Sequence, residues 1–114
     1  MTELARLETH EQGGVLVAVL TGEVDLSNAL SLEERIAAAA GDGVPLVVDL
    51  TAVTFIDSAG VRLLDHLVAA RQPGLAIRVV APPGNRVRFT LRLCGFRTEL
   101  VAPDLEGGVT DLSG

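Results

Sequence analysis

A buried-strand pattern passes abruptly into a helix pattern in the middle of this chain. The apolar run Leu46–Leu50 is followed by Phe55-Ile56-Asp57-Ser58-Ala59-Gly60, and apolar residues then recur at helical spacing. Those residues are Val61, Leu64, Leu67 and Val68. A short apolar run predicts a buried strand, and the 3–4 spacing predicts an amphipathic helix. A strand that turns directly into a helix favours an α/β fold, in which helices cover a sheet.

The remaining segments extend this alternation in both directions. Ala5, Leu7 and Thr9 alternate with polar residues and predict a half-buried strand, which Gln12-Gly13-Gly14 connects as a hairpin to an apolar strand, Val15–Leu20. A helix is predicted from Asp25 or Ser27 through Ala40, and a strand follows at about 45–50. The next elements are a helix at about 58–71, closed by Gln72-Pro73-Gly74, and a strand Leu75–Ala81. The last are a helix opened by Pro82-Pro83-Gly84-Asn85 and ended by Gly95, and a strand at about 98–101. The predicted apolar positions are Leu26, Leu30, Ile36 and Ala37 in the first helix, and Val87, Leu91 and Cys94 in the third.

These elements predict one α/β domain across residues 1–114. Its sheet is mixed and mostly parallel, with about five strands, an opening hairpin and three main helices. The core is expected at about 4–102. Residues 103–114, which include Gly107-Gly108 and Ser113-Gly114, are expected to form a frayed tail.

Composition excludes several classes of function. The chain of 114 residues has a net charge of −6 and only 3% aromatic residues, which argues against binding nucleic acid. One cysteine rules out an intrachain disulfide and fits a reducing compartment. No stretch has the pattern of a signal peptide or a membrane span, so we expect a soluble, cytoplasmic protein without membrane insertion. The charge is unevenly distributed along the chain. Residues 1–65 hold eleven acidic residues and three arginines, whereas residues 66–114 hold four acidic residues and six arginines.

Three predicted loops follow the carboxyl ends of strands, which in α/β sheets tend to form the binding edge. These loops are Thr21–Asp25, Thr54–Gly60 and Ala81–Asn85. In the second of them, Ser58 heads a helix, where free N–H groups and the helix dipole favour a phosphate. A simpler alternative is that Asp57 or Ser58 is only the helix N-cap.

Catalytic and metal sites are not indicated. Ser58 lies outside a Gly-x-Ser-x-Gly motif, and His66 is two helical turns away from it. Two histidines and one cysteine do not make a transition-metal site. Asp25, Asp49 and Asp57 could share a hard cation, but capping and solvated roles are commoner for such residues. We therefore expect no enzyme activity and no cofactor.

The chain resembles the STAS domain, and specifically the bacterial anti-sigma factor antagonist family. Leu20-Thr21-Gly22-Glu23-Val24-Asp25 is similar to the family's Gly-Glu-hydrophobic-Asp motif. The segment 48–60 is similar to the family's strand, Asp-Ser turn and helix, and Cys94-Gly95-Phe96 to its close before the last strand. The resemblance covers about residues 4–102.

The resemblance implies that the protein binds an anti-sigma factor that is also a serine kinase, and so releases a sigma factor. The kinase would phosphorylate Ser58, which switches binding off, and a metal-dependent serine phosphatase would reset it. Thr54 is a weaker alternative acceptor. The partner-binding residues expected are Glu23, Asp25, Asp57, Ser58, Ala59, Gly60, Arg62, Asn85 and Arg86.

Two other functions are compatible with the sequence. STAS domains also serve as accessory subunits of lipid-transport ATPase complexes, and a separate soluble subunit of that kind is one alternative. The other is a regulatory domain that binds a nucleotide or small ligand at the edge formed by the three loops.

Overall fold

The computed structural model describes residues 3–41, 43–71 and 76–113. The strands are β1 (Ala5–Gln12), β2 (Val15–Val24), β3 (Leu46–Ile56), β4 (Ile77–Val80) and β5 (Val101–Ala102). The helices are α1 (Ala29–Ala40), α2 (Ser58–Ala70), α3 (Arg86–Leu93) and α4 (Leu105–Ser113), with a 3₁₀ turn at Thr98–Leu100. The strands form one sheet in the order β1-β2-β3-β4-β5, in which only the β1–β2 pair is antiparallel. The predicted α/β class, the hairpin and the five-stranded mixed sheet are confirmed.

The sheet is covered on both faces because successive residues of its central strands point in opposite directions. In β2, Leu16, Ala18 and Leu20 belong to the larger core, into which Ile36 of α1 and Leu64 of α2 also pack. The alternate β2 residues Val15 and Val17 belong to a smaller core with Val47, Val80, Ala102 and Val109. The larger core lies under α1, α2 and α3, and the smaller one lies under α4.

Helix α4 was not expected from the sequence. In place of a frayed tail, 105–113 form a helix whose Val109 is buried against the sheet. An ideal Cβ on Gly108 would lie only 3.2 Å from Val80 and 3.6 Å from Val47. Glycine thus permits close contact between helix and sheet, and this packing outweighs the low helix propensity of the glycine pair.

Strands β2 and β3 are longer than predicted, and their extra residues shape the candidate site. Thr21–Val24 does not leave the sheet but pairs with the second half of β3, through two register shifts. Gly22 has a φ of +96° at the second shift. Because β4 pairs only with Leu46–Asp49, β3 continues to Ile56 with β2 as its one paired neighbour among the described strands. The strand ends therefore project beyond the rest of the sheet.

The first helix begins later than predicted. It starts at Ala29, and its buried residues are Ala29, Leu32, Ile36 and Ala40. Leu26, Leu30 and Ala37, predicted to face the core, are exposed. The reason is that residues 25–28 form a turn, so the apolar stripe begins at Ala29 and does not include Leu26 or Leu30.

The remaining bounds differ by small amounts. The third helix starts after Asn85 as predicted, but Cys94 is its exposed C-terminal cap and not a core residue. The last strand is shortened to Val101–Ala102 by the 3₁₀ turn. The predicted turn at Gln72-Pro73-Gly74 and the strand residue Leu75 lie outside the described residues.

Candidate functional site

The turn from β3 into α2 is closed by the side chain of Asp57. Its Oδ1 accepts hydrogen bonds from the backbone N–H groups of Ala59 at 2.9 Å and Gly60 at 3.1 Å. Its backbone carbonyl accepts one from Val61 at 3.1 Å. Asp57 is therefore the N-cap of α2, which is one of the two capping roles that the sequence indicated.

Ser58 is the first residue of α2, and it is exposed. Among the described residues, its hydroxyl has no hydrogen-bond partner. Two of the N–H groups at the start of α2, those of Ala59 and Gly60, are already bonded to Asp57, so they are not free to meet a phosphate on Ser58. A phosphate at this position would instead lie next to a carboxylate.

Gly60 brings the first turn of α2 onto the ends of the two central strands. An ideal Cβ at this position would clash with the side chain of Ile56 and lie 3.1 Å from Cγ1 of Val24. Gly60 is buried in the first turn of α2, and its inclusion among the partner-binding residues stays a prediction. Its role is to permit the close packing that presents Ser58 at the end of the sheet.

Asp57 also connects α2 to the segment before α1. Its Oδ2 accepts a hydrogen bond from the backbone N–H of Leu26 at 3.3 Å, and its own N–H donates to the carbonyl of Val24 at 3.3 Å. Leu26 is held in this position with 82% of its surface exposed. One carboxylate thus caps a helix and places an exposed leucine beside the Ser58 turn.

The segment before α1 is stabilised by its own polar side chains. Asp25 Oδ1 accepts hydrogen bonds from the N–H of Ser27 at 2.9 Å and from its hydroxyl. Asn28 Nδ2 donates to the carbonyl of Glu23 at 2.9 Å, and Asn28 Oδ1 accepts from the N–H of Asp25 at 3.0 Å. Asp25 and Ser27 therefore form a turn and do not cap the helix, whose first flanking residue is Asn28. Glu23 itself is exposed beside this turn.

The third predicted loop reaches the same region only in part. The side chain of Asn85 accepts from the N–H of Val87 at 2.7 Å and so caps α3. Arg86 is exposed, and it lines a cleft of about 140 Å³ together with Thr54 and Phe55. The structure therefore brings Arg86 to the end of β3, whereas the Asn85 side chain is used within its own helix.

Two other polar residues complete the surface. Arg62 is exposed one helical turn after Ser58, on the same side of α2. Thr54 is also exposed, but its hydroxyl donates to the carbonyl of Gly22 at 3.3 Å. Of the two hydroxyls, that of Thr54 is hydrogen-bonded, and that of Ser58 has no hydrogen-bond partner among the described residues.

Sequence reasoning missed the exposed apolar residues that surround the site. Leu26 and Leu30 were assigned to the core, and they are 82% and 67% exposed; Phe55, at the end of β3, is 46% exposed. The signal that identifies the two leucines is the run Asp25-Leu26-Ser27-Asn28, in which three turn-forming side chains delay the helix start.

The acidic residues that were considered for a cation are engaged separately. Asp49 is buried within β3, where its Oδ1 accepts from the N–H of Thr51 at 3.0 Å and the hydroxyl of Thr51 at 2.6 Å. In the part of the chain that the structure describes, no three His, Cys, Asp or Glu side chains are grouped to hold a metal ion. His66 contacts Glu33 of α1 at 2.9 Å.

The sequence and the fold were compared with those of known proteins. Residues 6–107 match the STAS domain model. The anti-sigma-F factor antagonist RsfB of Mycobacterium tuberculosis is 42% identical over 88 residues, which span 75% of this chain and 70% of the relative. The crystal structure of an anti-sigma factor antagonist from Mycobacterium paratuberculosis superimposes with a TM-score of 0.85 at 28% identity, covering 96% of this chain and 95% of the other.

A more distant structure has the same fold. The Bacillus cell fate determinant SpoIIAA in its phosphorylated form superimposes with a TM-score of 0.60 at 20% identity, over 93% of this chain and 97% of the other. Within the described residues, no helix is both long and apolar enough to cross a membrane. The STAS match, the identity to RsfB and the shared architecture together show that this chain belongs to the STAS domain family, among the anti-sigma factor antagonists.

Proposed function

We propose that this chain binds an anti-sigma factor through the surface around the start of α2, and that phosphorylation of Ser58 ends this binding. We call this the switch surface. It consists of Glu23, Asp25, Leu26, Asp57, Ser58, Ala59, Arg62 and Arg86. The observation that carries the proposal is that Asp57 caps the helix that begins at the exposed Ser58 and also holds the backbone of the exposed Leu26 in the neighbouring turn.

The switch surface has the features of a protein interface. Covering the Leu26 side chain would contribute about 1.5–3 kcal/mol through burial of apolar surface. Because its backbone N–H is already bonded to Asp57, the backbone of Leu26 would lose little freedom on binding. The small residues Ser58 and Ala59 allow a partner to approach the helix end closely.

Phosphate on Ser58 would change this surface in two ways. It would add a charge of about −1.5 to −2 next to the Asp57 carboxylate. The backbone N–H groups of Ala59 and Gly60 already donate to that carboxylate, so they are not free to stabilise the phosphate. A partner would then have to desolvate a dianion, or lose contact with the turn. An unpaired charge at an interface typically costs about 2–5 kcal/mol, which corresponds to a loss of affinity of about 30- to 5,000-fold.

The resemblance to the family suggests which enzymes add and remove the phosphate on Ser58. We infer that the anti-sigma factor is itself the serine kinase that modifies Ser58, and that a metal-dependent serine phosphatase removes the phosphate. The free hydroxyl of Ser58 supports this assignment over Thr54, whose hydroxyl is bonded to Gly22. In this cycle the unmodified chain holds the anti-sigma factor and so leaves a sigma factor free.

The experiment is an affinity capture on the immobilised chain, followed by rebinding of each purified candidate partner by biolayer interferometry. We expect an anti-sigma factor to bind wild type and Ser58→Ala with similar affinity, and to bind Ser58→Asp at least about tenfold more weakly. Thr110→Asp, which adds the same charge at an exposed position of α4, is the matched control and should bind like wild type. A purified anti-sigma factor that binds Ser58→Asp as tightly as wild type would contradict the proposal. Capture of transport-complex components alone would favour the accessory-subunit alternative.

A further inference from the structure

The outer side of α3 has an exposed face that shares only Arg86 with the switch surface. Arg86, Phe89 and Arg92 recur at intervals of three residues and so lie along one side of the helix. The Phe89 side chain is 59% exposed, and Leu93, one turn further, is 71% exposed. Two large exposed apolar side chains one turn apart, with polar residues around them, form the kind of patch that marks interaction sites.

No acidic residue of the same segment neutralises the positive charge of this face. Residues 76–98 contain no aspartate or glutamate. Among the described residues, neither Arg86 nor Arg92 has an ion-pair partner. The half-buried Arg88 is fixed by a hydrogen bond of 2.7 Å from its Nη1 to the carbonyl of Ala81. Arg86, Arg88 and Arg92 therefore line one open cleft of about 550 Å³ together with Phe89.

This combination matches the composition of protein-binding surfaces. Arginine and aromatic residues are enriched at interfaces and carry much of the binding energy there. A local excess of positive charge on a chain with a net charge of −6 favours a partner of opposite charge at this face. Because Phe89 and Leu93 lie beside the arginines, a matching partner would have apolar groups between its carboxylates.

We propose that the outer face of α3, formed by Arg86, Arg88, Phe89, Arg92 and Leu93, is a second docking surface that binds an acidic, partly apolar segment of a partner protein. The proposal stands apart from the switch function. Only Arg86 belongs to both surfaces, and Phe89 and Arg92 are not residues of the switch surface. The chain would then connect the molecule bound at the switch surface to a second one.

Two other occupants are less consistent with the observations. An anionic membrane attracts a basic residue by about 1 kcal/mol, and the two free arginines would have to overcome repulsion of the acidic remainder of the chain. In a second copy of this chain, the Asp25 and Asp57 carboxylates of the switch surface already accept backbone hydrogen bonds. They are thus poor partners for a new set of arginines.

The probe is a fluorescein-labelled synthetic peptide in which glutamates alternate with leucine and phenylalanine, titrated by fluorescence anisotropy at low and at physiological salt. We expect it to bind wild type, and to bind Arg92→Glu and Phe89→Ala about tenfold more weakly. Arg35→Glu makes the same charge change at an exposed position of α1 and should bind like wild type. A peptide with glutamine in place of glutamate should bind poorly. Circular dichroism confirms that the variants are folded, and their affinity for the anti-sigma factor should be unchanged.

Four outcomes would overturn the proposal. The acidic peptide fails to bind wild type, or it binds Arg92→Glu and Arg35→Glu equally well. Phosphatidylserine vesicles bind wild type through Arg92 while the peptide does not, which would assign the face to a membrane. Sedimentation shows a dimer of the chain that Arg92→Glu dissociates, which would assign it to a second copy.

Discussion

The carboxylate of Asp57 accepts the backbone N–H of Leu26 at 3.3 Å, across 31 positions of sequence. Through this bond, the N-cap of α2 also holds the turn that precedes α1. The start of α2, which carries Ser58, and the backbone of Leu26 are therefore held by one side chain.

Replacing Asp57 tests this connection. Asp57→Ala should lower the free energy of unfolding by about 0.5–2 kcal/mol, because the cap of α2 is lost. It should also weaken anti-sigma factor binding, because Leu26 is released. Urea denaturation and biolayer interferometry measure the two effects. Asp65→Ala removes an exposed carboxylate from the middle of the same helix and should change neither. Equal behaviour of the two variants would contradict the connecting role.

Gly60 is expected to be intolerant of even one added methyl group. Gly60→Ala should destabilise the fold by about 1–3 kcal/mol, because its Cβ would overlap the Ile56 side chain. The double variant with Ile56→Ala creates space for that methyl group. Its loss of stability should therefore be smaller than the sum of the two single losses. Strict additivity in thermal unfolding would show that the contact is not the cause.

The leucine of the switch surface should affect binding without affecting folding. Leu26→Ser should weaken anti-sigma factor binding by about tenfold, since an exposed apolar anchor is lost. Its unfolding midpoint should stay within error of wild type. Leu93→Ser changes another largely exposed leucine, on α3, and as the matched control it should leave this affinity unchanged. A larger effect of Leu93 than of Leu26 would place the anti-sigma factor on α3.

Helix α4 is predicted to be a structural part of the domain. Val109→Ala should cost about 1–2 kcal/mol, because two methyl groups leave the smaller core. The neighbouring exposed residue provides the control, and Thr110→Ala should stay within about 0.5 kcal/mol of wild type. If Val109→Ala unfolded at the same urea concentration as Thr110→Ala, the helix would not be packed on the sheet.

The sequence predicted what local patterns determine. The strand and helix order, the hairpin, a cap at Asp57 or Ser58 and the start of the third helix after Asn85 all follow from residues close together in the chain. The start of α1 was missed because Asp25, Ser27 and Asn28 are each capping residues, and only the bonds to Glu23 and Ser27 decide among them.

Long-range packing explains the other differences. The extra length of β3 depends on pairing with residues 21–24 of β2. Helix α4 depends on the close approach of Gly108 to Val80, which no local propensity encodes. The effect of Asp57 on Leu26 was likewise hidden, because it joins residues far apart in sequence.

The central claim is that a phosphate on Ser58 ends binding of the anti-sigma factor. The most direct measurement compares, by isothermal titration calorimetry, the affinity of that factor for the unmodified chain and for the chain phosphorylated at Ser58 alone, with the site verified by mass spectrometry. We predict a loss of affinity of about 30- to 5,000-fold on phosphorylation, with the fold retained. Equal affinity of the two forms, or kinase-catalysed phosphate found on Thr54 and not on Ser58, would contradict the account.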